Sequence, residues 1–553
     1  MEVMMNRFFH YKDRGGTIGK EITAGLGMFF LSVCGLFINM QLIAKLSISG
    51  EYAAATSQQI AVNGEYYALT WFLSMIIAFV GSLLIGLVAR LPLVQVSGLG
   101  ISTVLVSMIG IETGLNYYNL LFVCFISSII YTALVAVPGV KQFIFRVLPQ
   151  PVRRALPAAS GLLMAWIALQ LTGIINLTAS NITIYGAGTN GLTENENVLL
   201  SGGVALSQYS YSTDKYHPLL LIGTIAVIFT VILFLIVRQR TKRPFFISLM
   251  GGTVFYLLVS IFRVCFDWKT KKFALDSLWG RLWMVGSEDA MQTHLSAMLK
   301  SFSFTRVLTK GSDFSAYTEA GGSVALLFAV GILTFLLLNM YESEAALQAV
   351  SKATGVFDAD EQKDIQKALL CNAVVNIAAP LIGTTPVSIG KESVAAGKDG
   401  AKSGLASVVA SIGFLVSIFV WIVPFIFATS FSYDISFNLY GHYGTVMQLM
   451  AETGFVVADI VMVLVGVSMI AGSMYPELKK FTETAPFMTT VAGTLLLSNL
   501  AAGAALGTIC YVITALAEKK EEGDTRSLLG RIGIPQLVWC AVSVILLMLM
   551  VIR

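Results

Sequence analysis

Two stretches decide how this chain is read: Leu93-Val94-Gln95-Val96-Ser97-Gly98-Leu99-Gly100-Ile101-Ser102, and Gly383-Thr384-Thr385-Pro386-Val387-Ser388-Ile389-Gly390-Lys391-Glu392-Ser393. Each sets extended or small residues ahead of a short helical pattern inside an otherwise apolar region. In lipid every backbone polar group needs a partner. A helix that starts midway across a bilayer therefore turns free N–H groups and a positive dipole end toward a polar ligand or a wet cavity. Interrupted segments at matching positions in two halves of a chain are the sequence mark of a transport site. The plainer reading, short Gly-rich spans packed tightly on their neighbours, leaves Lys391 and Glu392 as two costly charges without a purpose.

The membrane itself is read from composition. Of 553 residues, 56% are hydrophobic and only 12% charged, against roughly 25% charged in an average soluble domain, and mean hydropathy is +0.77. A span takes about 20 apolar residues, and runs of that length recur, for example over 66–89, 117–138, 218–237 and 322–340. One such run fits a buried core helix; a long series of them does not. The formal net charge of +4 is not pooled into a basic patch, so no nucleic-acid partner is expected. The six cysteines (Cys34, Cys124, Cys265, Cys371, Cys510, Cys540) stand singly in apolar segments, and there are four histidines. They read as small packing residues and not as a metal or redox site. No nucleophile–base pair or phosphate loop is present either, so neither enzyme activity nor a cofactor is expected.

Orientation follows from loop charge, because Lys and Arg are retained on the cytoplasmic side. The segment 1–21 carries Arg7, Lys12 and Arg14 with no signal peptide ahead of the first span. The loop 47–65 has no Lys or Arg; 141–154 carries Lys141, Arg146, Arg153 and Arg154; 176–217 is acidic; and Arg238, Arg240, Lys242 and Arg243 crowd the next short loop. This alternation places the N-terminus in the cytoplasm and the protein in the inner membrane. Spans are expected at 22–46, 66–89, 93–110, 117–138, 154–175, 217–238 and 244–266, and again at 322–348, 369–383, 385–400, 402–428, 455–475, 485–499 and 500–518.

About 14 spans in two groups of seven imply an all-α polytopic membrane protein, and an odd number per half reverses the second half, the condition for a 7+7 inverted repeat. The expected organisation is a cytoplasmic segment 1–21, four spans in 22–138, three in 154–266, a long external insert 267–321, four spans in 322–428, three in 455–518, and a C-terminal segment 519–553. A further apolar run at 535–552 either spans or lies at the interface.

Charges within spans are expensive, about 2.5–3.5 kcal/mol for Asp, Lys or Arg at a helix centre on the most lenient scale, and so point to function. Asn339 and Glu342 stand three residues apart on one helical face, positioned to meet the segment carrying Glu392. Glu344 points elsewhere and reads better as a residue nearing the headgroups. A buried carboxylate such as Glu342 or Glu392 that takes up a proton at one face and releases it at the other couples transport to the membrane potential.

These residues carry a family resemblance. The opening Asn6-Arg7-Phe8-Phe9, the run Glu21-Ile22-Thr23-Ala24-Gly25-Leu26, then Leu36-Phe37-Ile38-Asn39, Gly383-Thr384, Glu392-Ser393-Val394-Ala395-Ala396-Gly397, and the run from Ala501-Ala502-Gly503 to Tyr511-Val512 resemble the AzgA-like purine permeases of the nucleobase:cation symporter-2 family. The similarity runs from near the N-terminus to about residue 518. It implies a core of spans 1–4 and 8–11 that carries substrate, a gate of spans 5–7 and 12–14, nucleobase movement with a cation (usually a proton), and homodimers. It also implies that Glu342 and Glu392 hydrogen-bond the base. The chain departs from that pattern at three positions: Asn339 stands where members carry Asp, Ser102 where they carry Asn, and Lys391 where they carry an apolar residue. If Lys391 faces the cavity, the carboxylate lost at Asn339 and the ammonium gained at Lys391 shift the site's formal charge by about +2; if it points about 100° away from Glu392, it pairs elsewhere.

The expected function is therefore proton-coupled secondary transport of a nucleobase-like, purine-type substrate by an elevator-type motion of core against gate. The substrate site is expected at Glu342, Glu392, Asn339, Ser102 and Gly390, with half-helix backbone from Gly98, Gly100, Thr384 and Thr385, and coupling through Glu342, Glu392 and Lys391. Two alternatives stay open: an anion carrier of the same fold using the Lys391 charge, and a non-transporting membrane sensor.

Overall fold

The computed structural model describes residues 2–44, 64–108, 115–137, 147–171, 218–267, 305–319, 321–357, 362–419, 456–473, 480–517 and 533–551, together with a few short strand pieces between them. Most of the insert 267–321 and of the loops 176–217 and 429–454 lies outside the described residues.

After a short surface helix Glu2–Phe9, the chain forms α1 (Ile18–Ala44), α2 (Gly64–Leu84, extended by a π-turn Ile85–Ala89), β1 (Gln95–Ser97), α3 (Leu99–Met108), α4 (Tyr117–Ala136), α5 (Gln150–Leu171), α6 (Pro218–Arg240) and α7 (Pro244–Cys265). The second half contributes α8 (Val324–Thr354), α9 (Gln362–Ile382), β2 (Val387–Ile389), α10 (Ser393–Lys398), α11 (Gly404–Phe419), α12 (Val456–Gly472), α13 (Phe481–Leu496) and α14 (Leu500–Ala517), followed by α15 (Ile534–Val551). Among the described residues, six helices are long and apolar enough to cross a bilayer unaided. The protein is a multi-pass, all-α membrane protein with two broken segments.

Helix ends differ from the hydropathy reading where polar residues continue a helix past the apolar run. Helix α9 begins at Gln362, about two turns before the expected 369, because Gln362-Lys363-Asp364-Ile365-Gln366-Lys367 is a good helical sequence that is not apolar. Helix α8 runs to Thr354 and stops at Gly355, whose φ of 60° is the left-handed conformation of a helix C-cap. Helix α5 starts at Gln150 with Pro151 in its first turn, where a missing N–H costs nothing.

The helices pack in two groups. In one, α11 lies on α1 and α2, α9 on α2 and α4, and α8 on α4 and α10; in the other, α5 packs on α12, α13 and α14, and α7 packs on α6 and α12. Close approach within the second group rests on small residues, as in membrane helices generally: a Cβ at Gly161 would lie 2.7 Å from the Gly466 carbonyl oxygen. Contacts of α8 with α5 and α14, of α1 with α12, and of α7 with α10 join the groups. Helix α15 packs on α14 and α8, and its Trp539 Nε1 donates to the Tyr341 hydroxyl at 3.0 Å.

The broken segments meet. Strands β1 and β2 pair antiparallel with Gln95 opposite Ile389, Val96 opposite Ser388 and Ser97 opposite Val387. Their remaining backbone groups find partners in side chains. Gln95 N donates to Ser82 Oγ at 3.0 Å, Val94 N to Ser393 Oγ at 3.1 Å, and Leu93 N to Ser407 Oγ at 2.8 Å. The Asn376 amide closes the outer edge of β2, accepting from Val387 N at 2.8 Å and donating to Val387 O at 2.7 Å. Two-stranded backbone thus persists at membrane depth because protein, not lipid, covers every edge.

Candidate functional site

Beyond each strand the chain turns into a short helix, and the two turns face each other across a small cavity. Ser97, Gly98 and Gly100 line it from the first segment, Ser388, Gly390, Lys391 and Glu392 from the second, Gly35 from α1, and Leu163, Met164 and Ile167 from α5. The cavity therefore lies between the two helix groups, with polar walls on one side and an apolar wall on the other.

Glu342, from the middle of α8, is fully buried, and its carboxylate lies against the start of α3: a Cβ on Gly98 would sit 2.6 Å from Oε2, and one on Gly100 would collide with Oε1. These glycines are required by that approach, not by their backbone angles. The carboxylate occupies the place where the α3 dipole favours negative charge. Glu392, 6% exposed, folds its Oε2 back to within 2.7 Å of a Cβ at Gly390, and its Oε1 faces Gly35. Lys391 Nζ stands 3.8 Å from Glu342 Oε1, beyond hydrogen-bond reach. Both oxygens of Glu342 and Oε2 of Glu392 have no hydrogen-bond partner among the described residues.

Of the residues singled out in the sequence, Glu342, Glu392, Lys391, Gly390, Gly98 and Gly100 come together here. Asn339 lies one turn earlier on the Glu342 face, buried, with its Oδ1 unpartnered. Ser102 turns away: its hydroxyl donates to Gly98 O at 3.0 Å within its own helix. Thr384 and Thr385 are buried behind the strand and not on the cavity, and Thr384 Oγ1 shares a hydrogen bond with Ser74 Oγ at 2.9 Å. Lys391, whose direction the sequence left open, faces Glu342.

Glu344 departs from the headgroup reading. It is 3% exposed, accepts from Arg153 Nε at 3.1 Å and from Gln348 Nε2 at 2.7 Å, and so ties α8 to α5. A carboxylate two residues past a site residue, with Arg153 on the neighbouring basic stretch, carried that signal only as a charge balance.

Sequence reasoning passed over Ser97 and Ser388, which stand on either side of the cavity from the paired strands, although both lie in the deciding stretches. It also passed over the apolar wall of α5, because Leu163, Met164 and Ile167 look like any lipid-facing or core stretch. Among the described residues no group of three or more His, Cys, Asp or Glu is arranged to hold a metal ion. The arrangement offers the Glu392 carboxylate and the Lys391 ammonium to a small ligand in the cavity, with the unpartnered Glu342 carboxylate buried against the Gly98 and Gly100 of its wall.

No family model matches the chain. It is 24% identical to the guanine/hypoxanthine permease PbuG of Bacillus subtilis over 516 residues, covering 93% of this chain and 95% of that protein. A second permease of that organism, the guanine/hypoxanthine permease PbuO, is 21% identical with the same coverage. The adenine permease AdeQ of Escherichia coli is 21% identical over 92% of this chain and 90% of its own length. Among solved structures, the transmembrane domain of the cyanobacterial bicarbonate transporter BicA aligns with a TM-score of 0.42 and 12% identity, over 87% of this chain and 96% of that one. At low identity but along nearly its full length, the chain resembles the purine permeases, which are transporters and not enzymes.

Proposed function

We propose that the protein moves a purine-like nucleobase across the cytoplasmic membrane by secondary active transport, with a proton as the coupled ion and the N-terminus in the cytoplasm. The observation that carries this reading is a cavity between the two helix groups that Glu392 lines, with a second carboxylate, Glu342, buried against the Gly98 and Gly100 of its wall, and three oxygens of the two left unpartnered among the described residues. Buried acceptors left without donors cost about 1–3 kcal/mol each, more for charged groups. A neutral base with several N–H donors relieves that cost on binding. Its flat apolar faces suit the Leu163, Met164 and Ile167 wall of α5.

The α1–α4 and α8–α11 group, which holds both broken segments and Glu342, acts as the moving core; α5–α7 and α12–α14 act as the gate. For proton symport one of the two carboxylates is protonated while the base is bound to the other, and it releases that proton on the far side after the base has left, so that proton and base cross together and the empty site returns deprotonated. The anion-carrier alternative needs an ammonium free for an anion. Lys391 faces Glu342 at 3.8 Å, so its charge is already balanced, and an anion brought there meets two carboxylates.

The test is uptake of radiolabelled purines, pyrimidines and organic anions into vesicles, with and without an imposed proton gradient. Purine uptake that rises with an inward proton gradient is expected, and uptake of anions alone overturns the reading. Glu342→Gln and Glu392→Gln are each expected to abolish uptake while the protein keeps its elution profile in detergent. Wild-type rates in both variants remove the carboxylates from the mechanism.

A further inference from the structure

Another buried carboxylate, Asp399, lies outside the cavity. Asp399 follows α10 and precedes α11, in the tight turn Asp399-Gly400-Ala401-Lys402, and it is 1% exposed. Both of its oxygens are used, and both reach across to the other helix group. Oδ1 accepts from Phe245 N at 3.1 Å and Oδ2 from Phe246 N at 2.7 Å. Those are the first N–H groups of α7, which no helical carbonyl can satisfy, and the dipole of α7 favours an anion at that end. The contact joins the group carrying the cavity to the group facing it, a short turn downstream of Glu392.

The surroundings show how firmly the turn is held on its own side. Lys402 N donates to Glu21 Oε1 at 2.8 Å, Lys402 Nζ donates to the Thr354 carbonyl at the end of α8, and Arg14 donates to Arg90 O at 2.9 Å and Lys402 O at 3.3 Å. Asp399 therefore moves with the first group as a rigid piece, while Phe245 and Phe246 belong to the second. Any displacement of one group against the other must break these two hydrogen bonds.

We infer that Asp399 is a positioning residue for the transport step: a latch that holds the moving group against the N-terminus of α7 and must release before the groups can shift. This rests on the transport reading above but not on the identity of the cargo.

The experiment is hydrogen exchange at Phe245 and Phe246 by mass spectrometry of the full-length protein, expressed as protection over the intrinsic rate so that the chemistry of exchange itself cancels. In the wild type both amides are expected to be protected. In Asp399→Ala their protection is expected to fall at least about tenfold while the α7 amides beyond the first turn keep theirs, and Asp399→Asn, which retains one acceptor oxygen, is expected to lie between. Transport turnover in Asp399→Ala is expected to change with KM for the cargo unchanged, and Asp399→Asn to restore it in part. Wild-type protection of Phe245 and Phe246 in Asp399→Ala, or wild-type turnover in that variant, overturns the latch. Failure of the functional reading shows itself differently, as absence of purine uptake by the wild type, and leaves the exchange measurement able to detect or refute the contact.

Discussion

At the scale of single residues, the cavity is built by contrast: carboxylates against glycines. Glu342 reaches the start of α3 only because Gly98 and Gly100 present bare backbone, and any side chain there occupies the carboxylate's place. Gly100→Val is therefore expected to abolish nucleobase uptake, whereas Gly472→Val, where nothing lies within 4 Å of a new Cβ, is expected to leave uptake within about twofold. Comparable uptake in both variants would show that the Glu342 approach is dispensable. Lys391 illustrates the limit of reading charge from sequence. Counting residues gave the site an extra ammonium, but the ammonium stands 3.8 Å from Glu342, so its field is largely taken up within the protein. Glu342, Glu392 and the glycines were legible because charges inside apolar spans have few structural uses. Ser102, Thr384 and Thr385 were named for their polarity and position in the segments. The Ser102 hydroxyl instead serves a backbone carbonyl and the Thr384 hydroxyl that of Ser74, a choice fixed by rotamers and packing that no spacing in the chain reveals.

At the scale of elements, the two interrupted helices were readable as interruptions, yet not as strands that pair. The period-two pattern over three residues is too short to separate from a bend, and the pairing partner lies in the other half of the chain. What keeps three-residue strands stable in lipid is the ring of side chains around them, above all Asn376, whose amide both accepts from and donates to the Val387 peptide. Asn376→Ala leaves the buried Val387 N–H unpaired, at about 1–3 kcal/mol, and leaves Val387 O to the longer bond from Asn372 Nδ2 at 3.3 Å. The expected result is a lowered midpoint of thermal unfolding in detergent, together with weakened nucleobase binding. A midpoint equal to wild type would mean that the strand edge is satisfied some other way. Helix ends were the least legible feature. The polar first turns of α9 and the Gly355 cap of α8 lie outside the hydrophobic run that defines a span, and only helix propensity and capping, not hydropathy, carry them.

At the scale of the whole molecule, the sequence showed two sevenfold sets and a leftover apolar run. Helix α15 answers for that run by packing on α14 and α8, with Trp539 bonded to Tyr341 next to Glu342. Its outward residues Ile534, Val538, Ile545 and Met548 are exposed, as suits lipid. Between helices in a bilayer there is little hydrophobic gain from association, so α15 adds mainly packing and one hydrogen bond of about 0.5–1.5 kcal/mol. A chain ending at Lys519 is expected to remain folded and active, with its unfolding midpoint lowered by a few degrees. Loss of all folded protein on gel filtration would make α15 part of the scaffold. The division into two helix groups was not legible beyond what the resemblance implied, since it depends on which helices touch, and contacts such as Gly161 against Gly466 join segments 305 residues apart in order of synthesis.

The antiparallel pairing of β1 with β2 has a consequence for biogenesis. Val94 finds the Ser393 hydroxyl 299 residues downstream, and ribosomes add about 5–20 residues per second. The first broken segment thus enters the bilayer with its ladder groups open and waits on the order of tens of seconds for the strand that closes them. During that interval the nascent chain needs water, translocon walls or a chaperone at mid-depth, and quality control has a natural checkpoint at the arrival of the second half.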